Sequence, residues 1–262
     1  MYAKFNLTLT LSDINNQTNT SEINIPSYLS DIKNTIHKEL KDNLLSNGDL
    51  DAEKMLSSWF PNVSCDIFLS HSHKDEKLAT AIAVWLYEKH SIKCFIDSSI
   101  WGFCNDLLKS IDDNYCKNID GQTYNYNQRN ISTAHVHMML ASALNMMIDN
   151  CECLIFLNTS NSINPTDSMS SKSNNTTYSP WIYGELSSSK LLRRKPLQVH
   201  RPSIKNESFD AVFAESLRIA YPAPLDHLEN MDVNSFFSWS KKVSANKYKA
   251  LDSLYKKYSI TD

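Results

Sequence analysis

From residue 64 onward, short apolar runs alternate with amphipathic ones, and this alternation most narrows the choice of fold. Cys65–Ser70, Ile92–Ile96 and Glu152–Asn158 are apolar runs of strand length. Lys77–His90 carries Leu78, Ile82, Trp85, Leu86 and Lys89 on one helical face, and Ile131–Asn150 carries Val136, Leu140, Ala143, Leu144 and Met147. Phe103–Cys116 and Pro180–Arg194 read as further helices, and Leu197–His200 as a fourth strand. Strands without polar alternation are covered on both faces, and strands separated by helices pair in parallel. The expected class is α/β, a central parallel sheet flanked by helices.

The two ends of the chain follow other patterns. Residues 1–60 read as an N-terminal extension: a strand over Tyr2–Leu11, with Phe5, Leu7, Leu9 and Leu11 on one face, then a helix over Ser30–Leu45. Residues 61–202 form the expected α/β domain. Residues 203–262 read as a helical C-terminal extension packed on it, with helices over Glu207–Ala220, Val233–Val243 and Lys247–Tyr258. Two long segments interrupt the domain, Asp97–Asn130 and the Ser/Asn/Thr-rich Ser160–Ser179. The second follows the third apolar strand, at the strand end where open α/β sheets bind ligands.

Composition removes several function classes. The chain has 4 glycines, Gly48, Gly102, Gly121 and Gly184, too far apart for a dinucleotide fingerprint or a P-loop. Net charge is −3, without the basic excess that a nucleic-acid binder needs. The 6 cysteines include no CxxC pair. His71/His73 and His135/His137 form HxH pairs with no third ligand at a zinc spacing, so no metal site is expected. The N-terminal residues have no apolar signal core, and no run of about 18 apolar residues occurs. These features place the expected protein in a reducing cytoplasm, away from membranes.

Four pieces occur in a fixed order: Asp66-Ile-Phe-Leu-Ser-His-Ser-His-Lys-Asp75, Cys94-Phe-Ile-Asp97, Glu152–Thr159, and Ser179-Pro-Trp-Ile-Tyr-Gly-Glu-Leu186. Together they resemble bacterial TIR (Toll/interleukin-1 receptor) domains: the first strand with its Ser-His-x-x-x-Asp loop, the second and third strands, and the WxxxE helix. The resemblance spans roughly residues 64–200. It implies a flavodoxin-like TIR fold and, as in many bacterial and plant members, cleavage of NAD⁺. Thoeris-type antiphage enzymes, which make a cyclic or conjugated ADP-ribose signal, are the nearest relatives it suggests. NAD⁺ would be a substrate, with no cofactor, and the nucleotide signal would act on a downstream effector.

On this resemblance Glu185 is the catalytic carboxylate, four residues after Trp181 on one helix face. A carboxylate beside the ribose stabilises the positive charge that develops as neutral nicotinamide leaves. Read without the resemblance, Glu185 is a solvated acid favoured by the helix dipole. Ser70, His71, Ser72 and His73 end the first strand and would line the nucleotide site; their structural reading is helix capping. Asp97 ends the second strand, and Trp101 is a candidate for stacking on a ring or anchoring its loop. Trp181 and Tyr183 either shape the pocket or pack in the core. Gly184 leaves room beside the glutamate.

Three functions remain open from sequence. One is an NAD⁺-consuming enzyme giving hydrolysis, cyclisation or ADP-ribosyl transfer. Another is a non-enzymatic TIR module signalling by assembly, and the two combine if the enzyme works as a homo-oligomer. A third is a deoxyribosyltransferase-like nucleoside enzyme, which also needs a carboxylate at the sugar.

Overall fold

A computed structural model describes residues 1–18, 27–28, 40–96, 104–165, 175–201, 207–208, 221–242 and 246–260. Five strands form one all-parallel sheet: β1 (Ala3–Leu7), β2 (Ile67–Ser70), β3 (Cys94–Ile96), β4 (Cys153–Leu157) and β5 (Glu229–Met231). Their order across the sheet is β5-β1-β4-β2-β3. Eight helices are labelled: α1 (Leu11–Thr18), α2 (Ala52–Trp59), α3 (Glu76–His90), α4 (Cys104–Tyr115), α5 (Tyr126–Asn150), α6 (Pro180–Leu191), α7 (Val233–Ser240) and α8 (Lys247–Lys257). The expected α/β class is therefore present, with its parallel sheet flanked by helices.

The three apolar runs become neighbours, with β2 between β3 and β4. Every residue of β2, β3 and β4 is buried, as two-sided coverage requires. The remaining strands come from the two ends of the chain. Residues 3–7, expected in an appended extension, instead fill the position between β4 and β5 and pair with both. The strand expected over Tyr2–Leu11 ends at Leu7, and Leu11 opens α1. The two polar side chains of β1 are paired: Lys4 donates through Nζ to the carbonyls of Ser189 and Leu192, and Asn6 donates to Asn230 Oδ1 at 2.9 Å. Those partners let a half-polar strand sit inside a sheet.

Leu197–His200, expected as a strand, is one turn of helix after Pro196. None of its residues is buried, so it lacks the cover an inner parallel strand needs. The expected helix over Ser30–Leu45 falls largely outside the described residues, leaving a short 3₁₀ turn at Leu40–Asn43. Most of Glu207–Ala220 also lies outside them; Glu207–Ser208 pairs as a two-residue strand with Pro61–Asn62. The other expected helices are present, with ends shifted by a few residues.

The tail helices tie into the α/β layers. Trp85 on α3 donates to Ser240 Oγ at 2.9 Å and meets Phe237 edge-on. Tyr255 on α8 donates to Glu152 at 2.8 Å, and Arg201 grips the same carboxylate with two bonds of 2.9 Å. Lys247 pairs with Asp66 at 2.6 Å. The Asp66 and Glu152 anchors lie at the amino ends of β2 and β4.

α5 is long and apolar enough, by length and composition, to cross a membrane. In the structure it packs between α4 and α6, burying Val136, Leu140, Ala143, Leu144 and Met147. These are the residues of the stripe read from sequence.

The edge near β5 carries a pH-sensitive contact. His227 lies 2.7 Å from Ser189 Oγ, on the helix end that Lys4 caps. Burial, followed by the nearby Lys4 ammonium, lowers the His227 pKa from 6.5 to about 4. The unfolded chain then binds more protons between those values, so stability falls as pH drops from 6.5 towards about 4. Urea midpoints measured across that window should decline in the wild type and decline less in His227→Gln. Equal slopes would remove His227 from the account.

Candidate functional site

β2 ends at Ser70, which is fully buried, and α6 begins with a Ser179 cap and Pro180 in its first turn. The Ser179 side chain accepts from the Ile182 amide at 3.3 Å, and Pro at this position gives up no helical bond. The cap sets the helical phase. Ile182, Glu185, Leu186 and Ser189 then form the inward face, so a carboxylate occupies a core position. Glu185 is 2% exposed and accepts a hydrogen bond of 2.5 Å from Ser70 Oγ. The solvated reading of this residue is therefore excluded. A carboxylate held by a strand-end hydroxyl thus sits at the carboxyl edge of the parallel sheet, the edge at which open α/β sheets bind ligands.

The other expected site residues divide. His71 is buried, with Nδ1 at 3.0 Å from the Leu69 carbonyl, turned back on its own strand. Ser72 is half-buried and precedes a 3₁₀ turn without capping it through its side chain, while His73 is exposed. The capping expected of Ser72 or His73 is thus absent, and α3 starts at Glu76. Trp181 is half-buried and meets His137 of α5 edge-on at 6.0 Å and 86°. Tyr183 stacks on Tyr221 at 4.9 Å and 20°. Gly184 is exposed, and a Cβ there would meet nothing within 4 Å. Asp97 and Trp101 lie outside the described residues. Ser70 and Glu185 are therefore joined directly, while Trp181 and Tyr183 brace α6 against other elements.

One feature of this edge was not read from the sequence. Asp75, 9% exposed, accepts from Thr159 Oγ1 at 2.5 Å and from Asn161 Nδ2 at 2.7 Å. Buried Ser162 braces the same turn, donating to the Leu157 carbonyl at 2.8 Å and accepting from the Thr159 amide at 2.9 Å. The loop after β2 is thereby clasped to the loop after β4, across the crevice between neighbouring strands. The available signals were the aspartate closing Ser-His-x-x-x-Asp and the turn-forming composition of Asn158–Ser162. Removing the carboxylate leaves two donors without their acceptor. Asp75→Ala should cost about 1–3 kcal/mol and raise amide exchange over residues 158–163. Unchanged exchange there would mean that the clasp does not order the loop.

Among the described residues, no three His, Cys, Asp or Glu side chains gather into a metal-binding group. A cleft of about 370 Å³ lies at the other end of the sheet, beside Tyr2, Leu197, Asp252 and Tyr255. That end carries the Glu152–Arg201 anchors and lies away from Ser70 and Glu185. Compared with protein-family models, curated proteins and solved structures, the chain gives no match.

Proposed function

We propose that this chain is a TIR-type enzyme that consumes NAD⁺ by breaking its nicotinamide–ribose bond. The observation that carries the reading is the buried Glu185 carboxylate bonded to Ser70 at the carboxyl end of β2. The strand order also supports it. Counted from β2, the order β3-β2-β4 followed by two more strands is the 2-1-3-4-5 arrangement of flavodoxin-like sheets. The chain departs from a plain TIR domain because its own N-terminal strand takes the fourth position.

In the proposed reaction the C1′–N bond breaks and both bonding electrons leave with neutral nicotinamide. The ribose becomes oxocarbenium-like, and Glu185 balances its charge while Ser70 fixes the orientation of the carboxylate. Water attack at C1′ gives ADP-ribose and releases a proton. Attack by another nucleophile gives a cyclic or conjugated product. We place this activity in the cytoplasm, in antiphage defence, with a nucleotide product read by a downstream effector.

The test is chromatographic measurement of nicotinamide release from NAD⁺ at high protein concentration, with free nucleosides as a parallel substrate. Release from NAD⁺ supports the proposal, and the co-product identifies the nucleophile. Turnover of nucleosides alone would replace it with the deoxyribosyltransferase reading. Silence at every concentration would favour the assembly module.

A further inference from the structure

Four register positions form one row across the sheet: Ser70 in β2, Phe156 in β4, Asn6 in β1 and Asn230 in β5. Side chains in such a row leave the sheet on the same side. Ser70 meets Glu185 of α6, and Lys4, two residues before Asn6, caps the end of the same helix. Asn6 therefore faces α6. It is also level with Glu185: Lys4 to Asn6 covers about 6.6 Å of strand, and Ser189 back to Glu185 covers about 6 Å of helix. Phe156, fully buried, lies between them in the row. Asn6 is 9% exposed. Its Nδ2 donates to Asn230 Oδ1 at 2.9 Å, while its own Oδ1 is buried and accepts from no donor among the described residues. A buried acceptor in that state is costly, and its retention beside a candidate site points to a donor on a ligand.

We propose that Asn6 reads the carboxamide of the nicotinamide ring, its Oδ1 accepting from the carboxamide N–H, and so selects amide over acid at that end of the substrate. The inference rests on the NAD⁺ reading of Glu185. Two strand spacings, about 9.6 Å, separate the Ser70 and Asn6 positions. With the ribose beside Glu185, the donor on the leaving side of the scissile bond is the carboxamide, which the ring carries away from the sugar. Nicotinic acid is ionised and has no N–H there, so its carboxylate would turn a lone pair onto the Asn6 oxygen. Sites built around a hydrogen bond reject analogues that lack the partner, because the buried group is left unpaired. Lys4, the nearest cation on this side of β1, is held by the carbonyls of Ser189 and Leu192 and does not offset that mismatch. Hydrolysis, cyclisation and transfer share one leaving group, so the selection is the same for each.

Isothermal titration with nicotinamide and with nicotinic acid tests it without requiring turnover. Wild type should bind nicotinamide at least about ten-fold more tightly than nicotinic acid. Asn6→Leu keeps the size of the side chain and frees only the exposed Asn230 carboxamide. With unchanged circular dichroism and Tm, it should lose the preference. Wild type that binds both compounds alike, or neither, would overturn the proposal without any variant. So would a folded Asn6→Leu protein that keeps the preference, which would leave the Asn6 acceptor to water. Nicotinamide release from NAD⁺, measured in parallel, separates the two claims. Release without a carboxamide preference keeps the reaction and removes Asn6 from it. The preference without release keeps the amide site and removes the reaction.

Discussion

Glu185→Gln is expected to lower nicotinamide release by about 10²–10³-fold with the fold intact. Removing one preorganised electrostatic partner of a developing charge typically costs about 3–4 kcal/mol of transition-state stabilisation. Glutamine keeps the volume of the side chain and a carbonyl that can accept from Ser70 Oγ, so the 2.5 Å contact has a neutral counterpart. Thermal unfolding should therefore move little while turnover collapses, separating charge from packing. Ser70→Ala should give a smaller loss, about ten-fold, because the carboxylate remains but is no longer fixed in orientation. Full activity in Glu185→Gln would remove this residue from the chemistry.

The largest stability effect is expected at the N-terminal strand. Phe5 is fully buried, lies in β1 between β4 and β5, and packs edge-on against Tyr258 at 5.1 Å. Phe5→Ala should cost about 3–5 kcal/mol. Native stability is typically about 5–15 kcal/mol, so this single truncation takes a large share. Deleting residues 1–7 should do more. It removes the strand that joins β5 to the rest of the sheet and leaves the inner edge of β4 unpaired. Urea denaturation of Phe5→Ala and circular dichroism of the truncated chain check both statements. A truncated chain that unfolds cooperatively at the wild-type midpoint would show that β1 is dispensable.

How far the sequence could be read depended on the range of the interaction. The three apolar strands and most helices were legible because their signals repeat within a few residues. The start of α6 at Pro180 was legible for the same reason, but the inward turn of Glu185 was not. The partners were not legible. Nothing local says that the polar residues of β1 are answered by Asn230, by Ser189 or by the end of α6. Nor could the Asp75 clasp be read, since its acceptor and donors lie 84 and 86 residues apart. The misread strand at Leu197–His200 has the same origin: four residues carry too little periodicity to separate a strand from one helical turn.

The sequence by itself determined an α/β chain with few glycines, three buried parallel strands, and a glutamate in a helix that starts at Pro180. These properties follow from hydrophobic period and backbone preference, which act between near neighbours. Tertiary structure alone decided which strand lies beside which, and so made residues 3–7 an inner strand. It also turned Glu185 inward onto Ser70, 115 residues away. Burying a polar group is tolerated only where a distant partner satisfies it, and only the assembled fold supplies that partner.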